Sequence, residues 1–150
     1  MLNSWYVTGF CDGEAAFTYS RNGGSFALYF SIRQREDNRQ IIEEVHQYFS
    51  YVGYIYHSKE PAIIKANAGR TKASAYYRVT KIDDLKVIVD HFDKYPLQSK
   101  KKLEAYNTWR QMVQYKLENY RNPDYDKMRL LAEKLSNLNI QSRAFKVHQS

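Results

Sequence analysis

From residue 14 onward the hydrophobic pattern has a period of two. Phe17 and Tyr19 alternate with Thr18 and Ser20, and Asn22-Gly23-Gly24 is a turn signal. Phe26, Leu28, Phe30 and Ile32 then alternate with Ser25, Ala27, Tyr29, Ser31 and Arg33. In a strand successive side chains point to opposite faces, so this run predicts a hairpin with one buried and one solvated face. Before it, residues 4–12 carry Val7, Phe10 and Cys11 at helical spacing behind Ser4 as the expected N-cap.

The pattern then repeats in outline. Asp37 or Asn38 is expected to cap a helix over residues 39–49, with Ile41, Ile42, Val45 and Phe49 on one face. Gly53 precedes a third strand, 54–58. Residues 59–72 are polar and read as an extended hairpin tip before a fourth strand, 73–79. A helix over 81–92 follows, with Ile82, Leu85, Ile88 and Val89 as its stripe. Pro96 breaks the chain, and Ser99 is expected to cap a long basic helix to about residue 117. Pro123 opens a last helix over 123–138 with Met128, Leu131, Leu135 and Leu138 at helical spacing; residues 139–150 read as a loose basic tail. The order αββαββα plus C-terminal helices predicts an α+β domain, a four-stranded antiparallel sheet backed by helices on one face only. At 150 residues it is expected to be a single domain with a core over 3–120.

Composition narrows the function. The apolar fraction is 43% with 26% charged residues, which excludes a disordered chain. The formal net charge of +7 points to a polyanionic partner. No apolar run approaches the roughly 20 residues of a spanning helix, and the N-terminus does not read as a signal peptide, so no membrane role is expected. The single cysteine, Cys11, excludes an internal disulfide framework and a cysteine zinc site, which fits an intracellular setting (cytoplasm, nucleoid or organelle matrix). Fourteen tyrosines supply rings for the core and hydroxyls able to reach phosphate or base edges.

The chemistry concentrates in Val7-Thr8-Gly9-Phe10-Cys11-Asp12-Gly13-Glu14-Ala15. Gly9 and Gly13 are four apart and share a helix face. Each mid-helix glycine costs roughly 1 kcal/mol relative to alanine, and small residues on one face let a second helix approach to backbone contact. Glu14 closes the helix, against the negative end of its dipole, where a divalent cation reverses the sign of the interaction. Taken alone, each feature also fits a plainer role: a helix end, a C-cap, a solvated glutamate.

Together these residues resemble the LAGLIDADG signature. Gly9, Phe10, Asp12, Gly13, Glu14 and Phe17 match its usual form, while Thr8, Cys11 and Ala15 depart mildly from it. The segment 91–102 is similar to the family's lysine-bearing segment, with Lys100 aligned and Lys101 its rival by one register. The resemblance extends to about residue 120. It implies a homing endonuclease that cuts both strands of a long pseudo-palindromic DNA site. A chain with one motif copy is expected to act as a C2 homodimer, with Thr8, Gly9, Asp12 and Gly13 at the interface. Glu14 is expected to hold Mg²⁺, with a backbone carbonyl of Gly13 or Ala15 as a further oxygen. Mn²⁺ is expected to substitute, and Ca²⁺ to bind without cleavage. Lys100 is expected to stabilise developing negative charge. Gln34, which the alternation puts on the buried side at the strand's end, is expected to organise active-site water.

The sheets of such a dimer form a saddle over the major groove, so outward residues become readers. On the first hairpin these are Thr18, Ser20, Asn22, Ser25, Tyr29, Ser31 and Arg33; on the second, Tyr56, Ser58, Tyr76 and Arg78. Lys59, Lys65, Arg70, Lys72 and Lys101 are expected on phosphates. Two other readings share the scaffold: a maturase binding intron RNA, and a non-catalytic DNA-binding regulator. The second is expected to lack the acid at position 14, which this sequence keeps.

Overall fold

The alternation over residues 15–35 is realised as two long antiparallel strands in a computed structural model that describes residues 1–58 and 73–149. Helix α1 (Ser4–Glu14) runs directly into β1 (Ala15–Asn22), which turns through Gly23 into β2 (Ser25–Arg35). A 3₁₀ turn at Glu36–Asn38 leads into α2 (Arg39–Tyr48), followed by β3 (Tyr54–Ser58), β4 (Ser74–Val79), α3 (Ile82–Lys94), α4 (Lys100–Glu118) and α5 (Tyr125–Gln149). The described strands form one antiparallel sheet of order β1-β2-β4-β3, so the hairpins meet through β2 and β4. Its register pairs Phe17 with Phe30, Ile32 with Tyr77, and Tyr56 with Tyr76.

That register decides the faces. Ala15, Phe17, Phe26, Leu28, Phe30, Ile32, Ala75, Tyr77 and Val79 point to one side and are buried under the helices. Helices α2 and α3 contribute most of their predicted stripes, Ile42 and Val45 from the first and Leu85, Ile88 and Val89 from the second, with Phe92 added and Ile41 and Ile82 only partly buried. Helix α4 adds Ala105, Tyr106, Trp109, Met112 and Val113. Phe17 lies at the centre, its ring 5.1–5.5 Å from those of Phe30, Phe92, Tyr106 and Trp109. Truncating such a side chain costs about 3–5 kcal/mol. The Trp109 indole also donates to the Thr18 carbonyl at 3.1 Å, fixing α4 across β1. Asp93 takes both nitrogens of the Arg110 fork and the Tyr106 hydroxyl, pinning α3 to α4. Burial pushes the Asp93 carboxyl up, but the bonds from Arg110 and Tyr106 outweigh it and hold it below its ordinary value.

Several predicted boundaries shift. Asn3, not Ser4, caps α1: its side chain accepts from the Trp5 and Tyr6 amides, and Ser4 is already helical. The last helix begins at Tyr125, with Asp124 accepting the Asp126 and Lys127 amides. It buries Met128, Ala132 and Leu135 and runs to Gln149, so the segment read as a loose tail is helical backbone. The expected hairpin tip, with Lys59, Lys65, Arg70 and Lys72, lies outside the described residues.

Candidate cleavage site and nucleic-acid interface

Helix α1 has two distinct faces. Val7, Thr8 and Cys11 are buried toward the core. Gly9 and Gly13 are exposed, and a Cβ added to either would meet nothing within 4 Å. Trp5 and Tyr6, each 52% exposed, lie one turn N-terminal to the glycines. Trp5, Gly9 and Gly13 therefore form an i, i+4, i+8 line with an aromatic head and a bare backbone foot.

Two residues expected at the pairing interface with the glycines, Thr8 and Asp12, are engaged within the chain instead. Thr8 is 1% exposed. Its hydroxyl lies 2.9 Å from His91 Nε2 and donates to the Tyr95 carbonyl at 2.8 Å, so Thr8 fastens α1 to the end of α3. The Tyr48 hydroxyl sits between His91 Nδ1 (3.0 Å) and Ser4 Oγ (2.7 Å), extending the polar chain from the core toward the surface. Burial lowers the His91 pKa to about 4, so the imidazole inside this chain is neutral at ordinary pH. Asp12 turns to the start of α4. Its carboxylate accepts from the amides of Gln98 (3.1 Å) and Ser99 (2.9 Å) and from the Ser99 hydroxyl (2.6 Å). Ser99 thus gives its hydroxyl to Asp12 and makes no cap of its own. The negative carboxylate from α1 instead occupies the positive end of α4.

That clamp sets where the lysines go. Lys100 and Lys101, the first two residues of α4, are exposed. Lys102, about 100° further round the helix, is half-buried, and its ammonium donates to the Ala15 carbonyl. Lys102 thus reaches the junction of α1 and β1, and sequence reading missed it; the run of three lysines held the signal but not its helical phase. The Ala15 carbonyl, one of the two alternatives expected to add a backbone oxygen to Glu14 at the metal, accepts from this ammonium. Lys102 also favours the Cys11 thiolate, but burial and Asp12 outweigh it and push the thiol well above its ordinary range, which leaves Cys11 a packing residue.

Glu14 is exposed at the last position of α1. The register Ala15↔Ile32 puts Gln34 at the same end of the sheet. Gln34 is half-buried rather than buried, and its side-chain oxygen accepts from the Asn38 amide at 2.8 Å. Glu14, Gln34 and the start of α4 thus converge on one end of the sheet. The donors here are oxygens, a set that suits a hard divalent cation such as Mg²⁺. Among the described residues no three His, Cys, Asp or Glu side chains gather into a ligand cage.

The outer sheet face carries the expected readers. Thr18, Ser20, Asn22, Ser25, Tyr29, Ser31 and Arg33 lie on it with Tyr56, Ser58, Tyr76 and Arg78. Tyr54 (45% exposed) and Arg35 belong to the same face and were missed, because their strand ends gave no clear alternation. Tyr56 and Tyr76 stack at 4.6 Å, nearly parallel. The Arg33 guanidinium lies 5.7 Å from the Tyr76 ring and donates to Ser74 Oγ at 3.1 Å. No helix of the described residues is long and apolar enough to cross a membrane.

This architecture is that of the LAGLIDADG homing endonucleases. The structure of the LAGLIDADG meganuclease I-AabMI bound to uncleaved DNA superimposes with a TM-score of 0.70 at 27% identity, covering 87% of this chain and 44% of that one. The homing endonuclease I-TnaI superimposes with a TM-score of 0.72 at 20% identity over 95% of this chain and 97% of that one, a likeness of fold. The chain belongs to the LAGLIDADG endonuclease family, whose model matches residues 7–113. An uncharacterised 50.9 kDa protein in ND4 intron 1 of Podospora anserina is 30% identical over 110 residues, 67% of this chain and 22% of that protein. A probable intron-encoded endonuclease 2 of Neurospora crassa is 30% identical over 126 residues, 79% of this chain and 25% of that protein. The chain spans about a quarter or less of the length of these curated relatives.

Proposed function

We propose that this chain is a site-specific endonuclease that makes a Mg²⁺-dependent double-strand cut in a long pseudo-palindromic DNA target, working as a pair of identical units. The observation that carries this reading is the open glycine line of α1 ending in exposed Glu14. Two such helices packed about a two-fold axis bury Gly9 and Gly13 and bring two Glu14 carboxylates together. Among the described residues of the motif, Glu14 is the carboxylate left open, Asp12 being held by α4. The remaining oxygens come from the second Glu14 and the DNA phosphates.

Glu14, with the Gly13 carbonyl beside it, would hold the cation, which when bound supplies Lewis-acid stabilisation of a phosphoryl oxygen. Lys100 or Lys101, exposed at the start of α4, offers its ammonium to the negative charge that develops on the scissile phosphate. Lys102 fixes the height of that helix start against the Ala15 carbonyl. Gln34, with one side-chain group engaged by Asn38, keeps its amide nitrogen to orient water. The outer sheet face meets the major groove, and the +7 charge draws the duplex in.

Glu14→Gln tests the reading. Cleavage in Mg²⁺ is expected to fall at least about 10³-fold. Binding to the same duplex in Ca²⁺, read by mobility shift, is expected to stay within about threefold of wild type, since the outer sheet face is untouched. Undiminished cleavage by this variant would sink the assignment.

A further inference from the structure

Arg78 occupies the centre of the outer sheet face. It lies on β4, between Ser31 of β2 and Tyr54 of β3 in register. Its guanidinium carbon sits 4.3 Å from the Tyr29 ring centroid and 5.6 Å from that of Tyr56, which is itself stacked on Tyr76. Its Nε is buried with no hydrogen-bond partner. A guanidinium carries five N–H donors in one plane. Here the group lies over the Tyr29 ring and beside that of Tyr56, and its donors meet no carboxylate or carbonyl among the described residues. Arg33, two registers along, differs in that its Nε is already spent on Ser74.

A buried donor without a partner is unfavourable in the free protein, and the ring contacts restrict the side-chain rotamers before any ligand arrives. Ordering a free arginine on DNA would otherwise cost that rotamer entropy at binding. A rigid planar donor on a groove-facing sheet suits one base edge above the others: guanine O6 and N7, which accept two parallel N–H bonds. We infer that Arg78 is a preformed guanine reader, so that each half-site carries one guanine whose preference depends on this side chain. The inference rests on the DNA-binding reading above.

The test is binding selection from a duplex library randomised across the half-site, with the full chain in Ca²⁺, for wild type, Arg78→Ala and Tyr29→Leu. Wild type is expected to enrich guanine at one position per half-site. Arg78→Ala is expected to lose about 10- to 100-fold in affinity for that site while accepting any base there, with preferences elsewhere unchanged. Tyr29→Leu, which keeps the guanidinium and removes its nearest ring, is expected to weaken the guanine preference at that same position, whatever Tyr29 itself contacts elsewhere, and it carries the test should Arg78→Ala fold poorly. A loss spread evenly over all positions, with a shallower salt dependence, would make Arg78 a phosphate contact and overturn the inference. So would an enriched site with no guanine that responds to either variant. Failure of wild type to enrich any duplex would instead overturn the DNA-binding reading itself.

Discussion

The foot of α1 and the outer face of the sheet are both exposed, but they are held in different ways. At the foot, position is set by bonds that span most of the chain: Asp12 to Gln98 and Ser99, and Lys102 to Ala15, pairs 86 and 87 residues apart. On the sheet face, position is set by rings and guanidinium groups of adjacent strands resting on one another, Tyr29, Arg78, Tyr56 and Tyr76. A side chain of the first kind cannot change without disturbing how α1 meets α4. A side chain of the second kind can change with the backbone register intact. In a proposed endonuclease that separation lets the target vary while the chemistry stays fixed.

Substitutions at the two regions should therefore fail differently. The largest separation is between Glu14→Gln, which should abolish cutting with binding kept, and Arg78→Ala, which should alter the site bound without stopping the cutting of a saturated target. Next is Gly9→Leu. A Cβ at Gly9 meets nothing in the single chain, and leucine favours helix by roughly 1 kcal/mol, so the melting temperature of the isolated chain should hold or rise. Pairing through α1 and all cleavage should be lost, as read by sedimentation and plasmid nicking. A variant that still pairs and cuts would place the interface elsewhere.

Asp12→Asn should have a smaller effect. An amide retains one acceptor oxygen and loses the charge that faces the α4 amides, so the lysine-bearing helix start loosens. Cleavage should fall about 10- to 100-fold while affinity in Ca²⁺ changes little. Equal losses in both would make Asp12 a purely structural clamp. The smallest effect concerns pH. His91 is held neutral, its pKa lowered from 6.5 to about 4, so its contribution to stability is complete above pH 6.5 and is lost as pH falls toward 4. The cost should reach on the order of 2 kcal/mol by pH 4, discounted for partial solvent access. His91→Gln should flatten that part of the stability profile measured by urea titration.

Local pattern carried much of this architecture. The period-two run through Phe26–Ile32, the glycine turn and the apolar stripes of the helices were readable because each depends on neighbours a few residues away. Gly9 and Gly13 were readable because helix geometry alone puts them on one line, and Glu14 because it closes that helix. What was not readable depends on distant partners. Thr8 belongs to the core because His91 and Tyr95 sit opposite it. Asp12 turns from the expected interface because α4 begins beside it. Lys102 rather than Lys100 meets the motif because packing fixes the helical phase of α4. The tyrosine and arginine stack follows from β4 pairing with both β2 and β3, an order that strand pattern alone leaves open.

Everything proposed for cleavage depends on two α1 helices pairing and presenting two Glu14 carboxylates to one duplex. Sequencing the ends produced when the chain digests a randomised duplex library in Mg²⁺ tests that pairing most directly. A pair of such helices should leave cuts in both strands, with flanking preferences related by two-fold symmetry, and none of these ends with Glu14→Gln. Cuts confined to one strand, flanks without that symmetry, or an unchanged pattern from Glu14→Gln would contradict it.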